Sequence, residues 1–366
     1  MTNEGKFGYH EAISVLVITI VINAFFTSPA ILVGLVGTTG WYMTLISMLT
    51  SMFAFMFLYL LLKRFPNKNI MEISDVVLGK LGSAVFLLLF AGFLLWTASI
   101  NMREFTEVLK VYVLPTTPPS LIMILFLITI VVFSFLGLET IVRFAKFIIY
   151  ILGAGLILVI LLSSQNFETK NLFPILGYGL DITLLHGVLR SSFYGEIVII
   201  GVIASSLQGF KEIKRIGLSS LLISGVITSL CLMVFTFVFP YNVGKELTSP
   251  MYEMAALINY GGFMQRMEPL FLFLWNFGSF IEISFIIYTS LMIYCHIFRI
   301  DDKRPVILPM VTTLYSLSLI PKSIIEVTSG FVQTMRSWGW AFYYIPPVII
   351  LIVALIRKKK GESQNA

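Results

Sequence analysis

Long apolar runs, separated by short polar joints, dominate the chain from end to end. About 20 residues of helix cross the hydrocarbon core of a bilayer. Runs of that length predict spans near residues 11–36, 41–62, 82–101, 119–138, 143–163, 185–207, 215–239, 269–298, 304–321 and 338–356. The joints carry the expected breakers and charges, as in Lys63-Arg64-Phe65-Pro66-Asn67-Lys68, Pro115-Thr116-Thr117-Pro118-Pro119 and the stretch from Arg299 to Arg304. The sixth run is polar in its first half and the ninth is short. Residues 245–266 are too polar to span and predict a helix lying across the outer surface.

Composition removes the alternative of a soluble fold. Of 366 residues 58% are hydrophobic and 12% charged, against about 25% charged in soluble domains. The fold class expected is therefore an all-α integral membrane protein, one transmembrane domain over residues 1–366. Residues Met1 to His10 lack the basic flank and small-residue cleavage site of a signal peptide, so the first run reads as a retained span.

Basic residues accumulate on the cytoplasmic side of membrane proteins. With the N-terminus inside, the outer joints hold Arg103, Lys110, Lys170, Arg190, Lys245, Arg266, Lys322 and Arg336, and the cytoplasmic joints hold the larger remainder of the 25. An even number of spans keeps the basic tail Arg357 to Lys360 inside with the N-terminus. The net charge of +6 then reflects topology and anionic inner-leaflet lipid, and no nucleic-acid partner is expected.

Four places interrupt the apolar pattern. The first is Asn23-Ala24-Phe25-Phe26-Thr27-Ser28-Pro29 in span one. Proline removes a backbone donor and clashes with the preceding turn; Thr27 and Ser28 can satisfy the freed carbonyls, and a simple kink is the alternative. The second is span six, where Ser192-Phe193-Tyr194-Gly195-Glu196 sets an acid deep in the membrane. An ionisable residue there costs roughly 2.5–3.5 kcal/mol on insertion scales and defaults to a functional role; a protonated acid capping a neighbouring backbone group is the alternative. Breaks in spans one and six of ten match transporters built from two inverted five-helix repeats, whose unwound backbone meets a ligand near the midplane. The repeats would cover about residues 11–163 and 185–356.

The third place is span eight, where Trp275, Asn276, Ser279 and Glu282 share one helical face, for a ligand or for an interhelical hydrogen bond. The fourth is the end of span three. Thr97, Asn101 and Glu104 share a face there, while Arg103 and Glu107 can pair at i,i+4. The charges read as interfacial scaffolding and Thr97 as a pocket residue.

Cys231 and Cys295 lie inside apolar runs, and His10, His186 and His296 are scattered. No metal site or cofactor is expected. The motifs of zinc proteases, serine hydrolases and phosphate-binding loops are missing, so no enzyme activity is expected.

Several motifs in order then resemble a known family. Thr39-Gly40-Trp41 opens span two, and Arg103-Glu104-Phe105-Thr106-Glu107 leads to Leu114-Pro115-Thr116-Thr117-Pro118. Gly137-Leu138-Glu139 with Arg143 precedes span five. Asn171-Leu172-Phe173-Pro174-Ile175-Leu176-Gly177-Tyr178-Gly179 leads into the Phe-Tyr-Gly-Glu break. Arg266-Met267-Glu268 and Trp275 open span eight, and Ile320-Pro321 closes span nine. From about Ile13 to Ile356 the chain resembles the B subunit of nutrient germinant receptors, the spore germination permeases of the amino acid–polyamine–organocation superfamily.

The resemblance implies a LeuT-like bundle of about ten helices in the spore inner membrane. It also implies a lipid-anchored C subunit and a larger A subunit as partners, and a small nutrient ligand such as an amino acid, sugar or nucleoside. The ligand-binding set expected at the junction of spans one, three, six and eight is Ala24, Phe25, Thr27, Thr97, Asn101, Tyr194, Gly195, Glu196, Ser279 and Glu282. The family's Gly-x-Gly before the span-one proline reads Ile22-Asn23-Ala24-Phe25 here. That departure predicts a tighter turn, with Asn23 or Phe25 intruding on the pocket. A cation- or proton-coupled symporter on the same fold is the rival expectation, with Glu196 or Glu282 as the proton site.

Overall fold

In the computed structural model, residues 5–25, 27–208, 212–261, 264–265 and 267–361 are described. Helix lies over every one of the ten expected segments. Among the described residues, eight helical stretches are long and apolar enough to cross a membrane, and Tyr9–Ala24 is a shorter apolar helix. The one sheet among these residues is a two-stranded ribbon, Asn259–Tyr260 against Met264–Gln265. The protein is an all-α membrane protein.

Span one comes in two pieces. The helix Tyr9–Val21 tightens into a 3-10 turn over Ile22–Ala24, the backbone leaves the helical path, and a second helix runs Ser28–Val36. Pro29 falls in the first turn of that second helix, where a missing N–H costs nothing. Gly37, at φ +70°, turns the chain into span two, Gly40–Arg64. The motifs around Thr39 and Gly177 meet here: Tyr178 donates its N–H to the Val36 carbonyl at 3.3 Å, Thr38 donates to the Pro174 carbonyl, and the Thr39 and Thr183 hydroxyls pair at 2.9 Å. A Cβ on Gly177 would lie 2.1 Å from the Val36 oxygen, so this approach requires glycine.

Span three is longer than its hydrophobic run. Helix covers Ile70–Tyr112, interrupted at Gly79, whose φ of +78° divides a short leading helix from the span proper. Asn69 and Glu72 cap that leading helix reciprocally at 3.0 Å each way. Spans four and five, Pro119–Leu136 and Leu138–Ser163, are parted by Gly137 at φ +91°. Span seven is Ile213–Val238, span eight Glu268–Phe298 and span nine Arg304–Ser318. Span ten, Gln333–Ile356, is preceded by a π-helical turn over Glu326–Val332.

The two ends of the bundle differ. At the end that carries both tails, Phe7 N donates to the Ser206 carbonyl at 3.2 Å and the Phe7 carbonyl accepts from Gln208 N at 3.1 Å. The C-terminal tail closes on the end of span two, with Arg64 Nε donating to the Lys359 carbonyl at 2.7 Å and Gly361 N donating to the Arg64 carbonyl at 3.1 Å. Arg357 donates to the Val77 carbonyl at 2.9 Å, and His296 meets Asp75 at 2.9 Å. The opposite end is open. There the half-helix Ser28–Val36, residues 245–248 and the π-helical turn surround a cavity of about 390 Å³.

Two expectations change. The segment 245–266 is not one surface helix: Pro250–Ala256 is helical and buries Met251, Met254 and Ala255, while Tyr112 donates to Glu253 at 2.6 Å. It folds onto the bundle because its methionines alternate with polar residues at helical spacing; Arg266 lies outside the described residues. The outer-joint residues Arg103, Arg190 and Arg336 are not in joints at all. Each is about 5% exposed: the helices of spans three and ten run beyond the apolar stretches that defined them and carry Arg103 and Arg336, while Arg190 lies within span six itself.

Candidate functional site

Buried polar side chains converge where spans one, three, six, eight and ten meet. Glu104 is central. Its Oε1 accepts from Thr27 N at 3.0 Å and from Thr27 Oγ1 at 2.5 Å. Thr27 is the N-cap of the half-helix Ser28–Val36. A helix N-terminus carries unpaired N–H groups and roughly half a positive charge, so a carboxylate there is electrostatically matched. The neighbours Arg103 and Glu107 form the expected i,i+4 pair at 2.7 Å, and both are buried.

One turn earlier on span three, Asn101 donates to Glu282 Oε1 of span eight at 2.6 Å. The Asn23 side chain stands beside the same carboxyl and donates to the Thr19 carbonyl at 3.0 Å. On span six, Glu196 Oε1 accepts from Arg336 at 3.4 Å and from the Tyr343 hydroxyl at 3.3 Å, both on span ten. The Arg336 guanidinium also lies 5.3 Å over the Phe193 ring. Arg336 is the cation that acts on Glu104, Glu196 and Glu282 alike.

These groups are 0–5% exposed. Several polar atoms among them have no partner: Glu196 Oε2, Glu282 Oε2, Asn101 Oδ1, Ser279 Oγ and Arg336 Nε. A buried polar group left unpaired costs free energy. Unpaired carboxylate oxygens on two helices are the chemistry that a hydrogen-bond donor, above all a cationic one, would satisfy.

Span six is tightened rather than unwound. Its helix Leu180–Leu189 passes into 3-10 winding over Arg190–Ile199 and then into Ile200–Ile203. Every residue of the 3-10 stretch is buried. A Cβ on Gly195 would lie 2.0 Å from the Tyr343 ring, so the glycine admits that ring and brings its hydroxyl to Glu196. On the far side Ser51 Oγ and the Tyr344 hydroxyl both donate to the Ser191 carbonyl at 3.0 Å, and Ser47 Oγ donates to the Gly187 carbonyl at 2.7 Å.

Of the ten expected residues, Thr27, Asn101, Glu196 and Glu282 carry the polar contacts above. Gly195 supplies room for Tyr343, Ser279 lies buried on the Glu282 face, and Thr97 stands beside Tyr343. Ala24 is buried in the 3-10 turn. Phe25 packs tilted against Trp275 with ring centroids 3.4 Å apart and against Phe271 at 6.2 Å. Tyr194 does not join the group. It faces Thr44 and Thr228 of spans two and seven, because consecutive residues on a 3-10 helix point about 120° apart.

Sequence reasoning missed Arg336, Tyr343 and Gln333, and it underrated Glu104. Gln333 accepts from Arg190 at 2.9 Å and also lines the outer cavity, one turn above Arg336. The available signal was charge balance. Two intramembrane acids call for a cation inside the bundle, and Arg336 stands in helical register with Tyr343.

The cavity of about 390 Å³ is lined by Thr27, Ala30, Ile31, Gly34 and Leu35, by residues 245–248, and by Ile324, Ile325, Thr328, Ser329 and Gln333. That volume lies within the range of small-molecule sites, roughly 300–1,000 Å³. Thr27 and Gln333 join it to the buried cluster: the first holds Glu104 and the second holds Arg190. The arrangement is a vestibule beside a polar core, at the end of the bundle opposite the tails.

A bundle of this build, with an interrupted first helix and acids in its interior, belongs among permease-type membrane proteins. The chain matches the Spore germination protein family over residues 7–327, and it belongs to that family. It is 25% identical over 338 residues to Spore germination protein KB of Bacillus subtilis (strain 168), covering 90% of each chain. Spore germination protein A2 of the same organism is 26% identical over 371 residues, 96% of this chain and 97% of the relative. Spore germination protein YndE is 23% identical over 335 residues, 88% of this chain and 89% of the relative. The protein is a multi-pass membrane protein related to spore germination.

Proposed function

We propose that the chain is the nutrient-sensing subunit of a spore germinant receptor. It binds a small nutrient, an amino acid or a similar molecule, at the junction of spans one, three, six and eight. Its two five-helix repeats, about residues 11–163 and 185–356, rock about that site. Ligand binding favours one arrangement, and the change passes to A and C subunits in the spore inner membrane, with both termini of this chain in the cytoplasm.

The observation that carries this reading is the buried carboxylate cluster beneath an open vestibule. Glu196 and Glu282 each keep one unpaired oxygen at a depth where no bulk water reaches. A ligand with an ammonium group satisfies both, and the vestibule gives it a path from the outer side.

Glutamine at Glu196 or Glu282 keeps shape and hydrogen-bonding reach while removing charge. Each variant is expected at near-normal level in the spore membrane, with the nutrient concentration needed for response shifted at least tenfold, or about 1.4 kcal/mol. Wild-type response in both variants would refute a charged ligand. The same carboxylates also support a proton- or cation-coupled symporter. Deleting the A subunit separates the two: a receptor subunit then loses its nutrient response, whereas a symporter keeps its uptake.

A further inference from the structure

In transporters with interrupted helices, the N-terminus of the half-helix points at the anionic group of the substrate. In this chain that place is taken. The N-terminus of Ser28–Val36 faces Glu104, whose Oε1 accepts both the N–H and the hydroxyl of Thr27. Glu104 is 4% exposed, so no solvent competes for those donors. The inner side of the same turn is closed by Phe25, packed on Trp275 at 3.4 Å. The Thr27 donors and the Phe25 ring are thus both engaged by other parts of the chain.

We propose that the Glu104 carboxylate occupies, from within the chain, the place where a ligand's carboxylate would otherwise bind. The site therefore selects a small organic cation that lacks a carboxylate. The ligand class rests on the receptor reading above; the place of Glu104 does not.

Charge supports the assignment from a second direction. Glu104, Glu196 and Glu282 are three carboxylates under the influence of one guanidinium, that of Arg336. Arg190 is held by Gln333 at the vestibule floor. A further carboxylate entering past Thr27 meets Glu104 already on the Thr27 donors and joins three acids that share the Arg336 guanidinium. An ammonium group meets the free Oε2 atoms of Glu196 and Glu282. A zwitterionic amino acid gains at its amine and loses at its carboxylate; its amide gains without the loss.

The test uses the full chain purified in detergent and followed by thermal unfolding. Glu104→Ala frees the two Thr27 donors. Sodium acetate, against sodium chloride at equal ionic strength, should raise the melting temperature of Glu104→Ala saturably and leave the wild type unmoved. A Glu104→Ala protein indifferent to acetate overturns the proposal. Should that variant not accumulate in folded form, Glu104→Gln keeps an acceptor for Thr27 and carries the decision through ligand preference.

The probes are the amides of alanine, leucine and phenylalanine, each beside its parent acid. In the wild type at least one amide should stabilise at a concentration tenfold or more below that of its acid, and Glu104→Gln should narrow the ratio. A panel in which no amide outdoes its acid overturns the ligand class. The acetate result reads the place of Glu104 whether or not the protein triggers germination. The glutamine variants at Glu196 and Glu282 read the receptor role, so the two failures are distinguishable.

Discussion

The two irregular stretches of the bundle, in spans one and six, solve the same problem in opposite ways. Span one breaks its backbone between Ala24 and Ser28 and satisfies the new helix end with a side chain from span three, Glu104. Span six keeps a continuous helix, tightened over Arg190–Ile199, and spends its irregularity on side-chain room at Gly195. The break in span one exposes backbone donors, and an acid comes to them. In the tightened span six the chain's own acid, Glu196, is met by Arg336 and Tyr343 from span ten. The interrupted helix takes its partner at a backbone end; the tightened one takes its partners at side chains. A glycine among polar residues does not by itself distinguish them.

The comparison is most exposed at Gly195. A Cβ there meets the Tyr343 ring at 2.0 Å in a fully buried position, and overpacking of this kind costs about 1–3 kcal/mol or more. Gly195→Ala should sharply lower the amount of folded protein recovered from membranes. Adding Tyr343→Ala should return the double variant to the level of Tyr343→Ala alone. Wild-type recovery of Gly195→Ala by itself would mean that span six has slack and resembles span one after all.

A smaller effect is expected at the break. Thr27→Val removes the hydroxyl donor to Glu104 and keeps the N–H. Interhelical hydrogen bonds in membrane bundles contribute about 0.6–2 kcal/mol, so the purified variant should unfold at a temperature lower by a few degrees. If unfolding is unchanged, the N–H alone anchors Glu104 and the hydroxyl is dispensable. Smallest of all is Tyr344→Phe behind span six. The variant loses the hydroxyl that stands 2.8 Å from Ser51 Oγ and 3.0 Å from the Ser191 carbonyl. The single Ser51 proton still has the Ser47 or the Ser191 carbonyl to donate to, at 2.8 or 3.0 Å, so a loss of under about 1 kcal/mol is expected. A larger loss would show that the tightened stretch depends on its backing.

The amino-acid sequence alone determined the membrane class, the approximate positions of ten helices and the face of span three that carries Thr97, Asn101 and Glu104. Those follow from local quantities: apolar run length, breaker residues and helical periodicity, which act within one segment. It also marked Glu196 and Glu282, since an acid in an apolar run is conspicuous wherever it ends up. Only the tertiary structure decided which groups these acids meet. Arg336 looked like a joint residue because the apolar run of span ten begins after it, yet helix extends back through Gln333 and carries it into the core. Glu104 looked like interfacial scaffolding, yet the broken end of a helix 77 residues away takes it. Tyr194 and Gly195 looked equivalent to Glu196, and the winding of span six turned one toward spans two and seven and the other toward Tyr343. Pairing between helices depends on how far each helix extends and how it is rotated, and those follow from packing against neighbours that are distant in sequence.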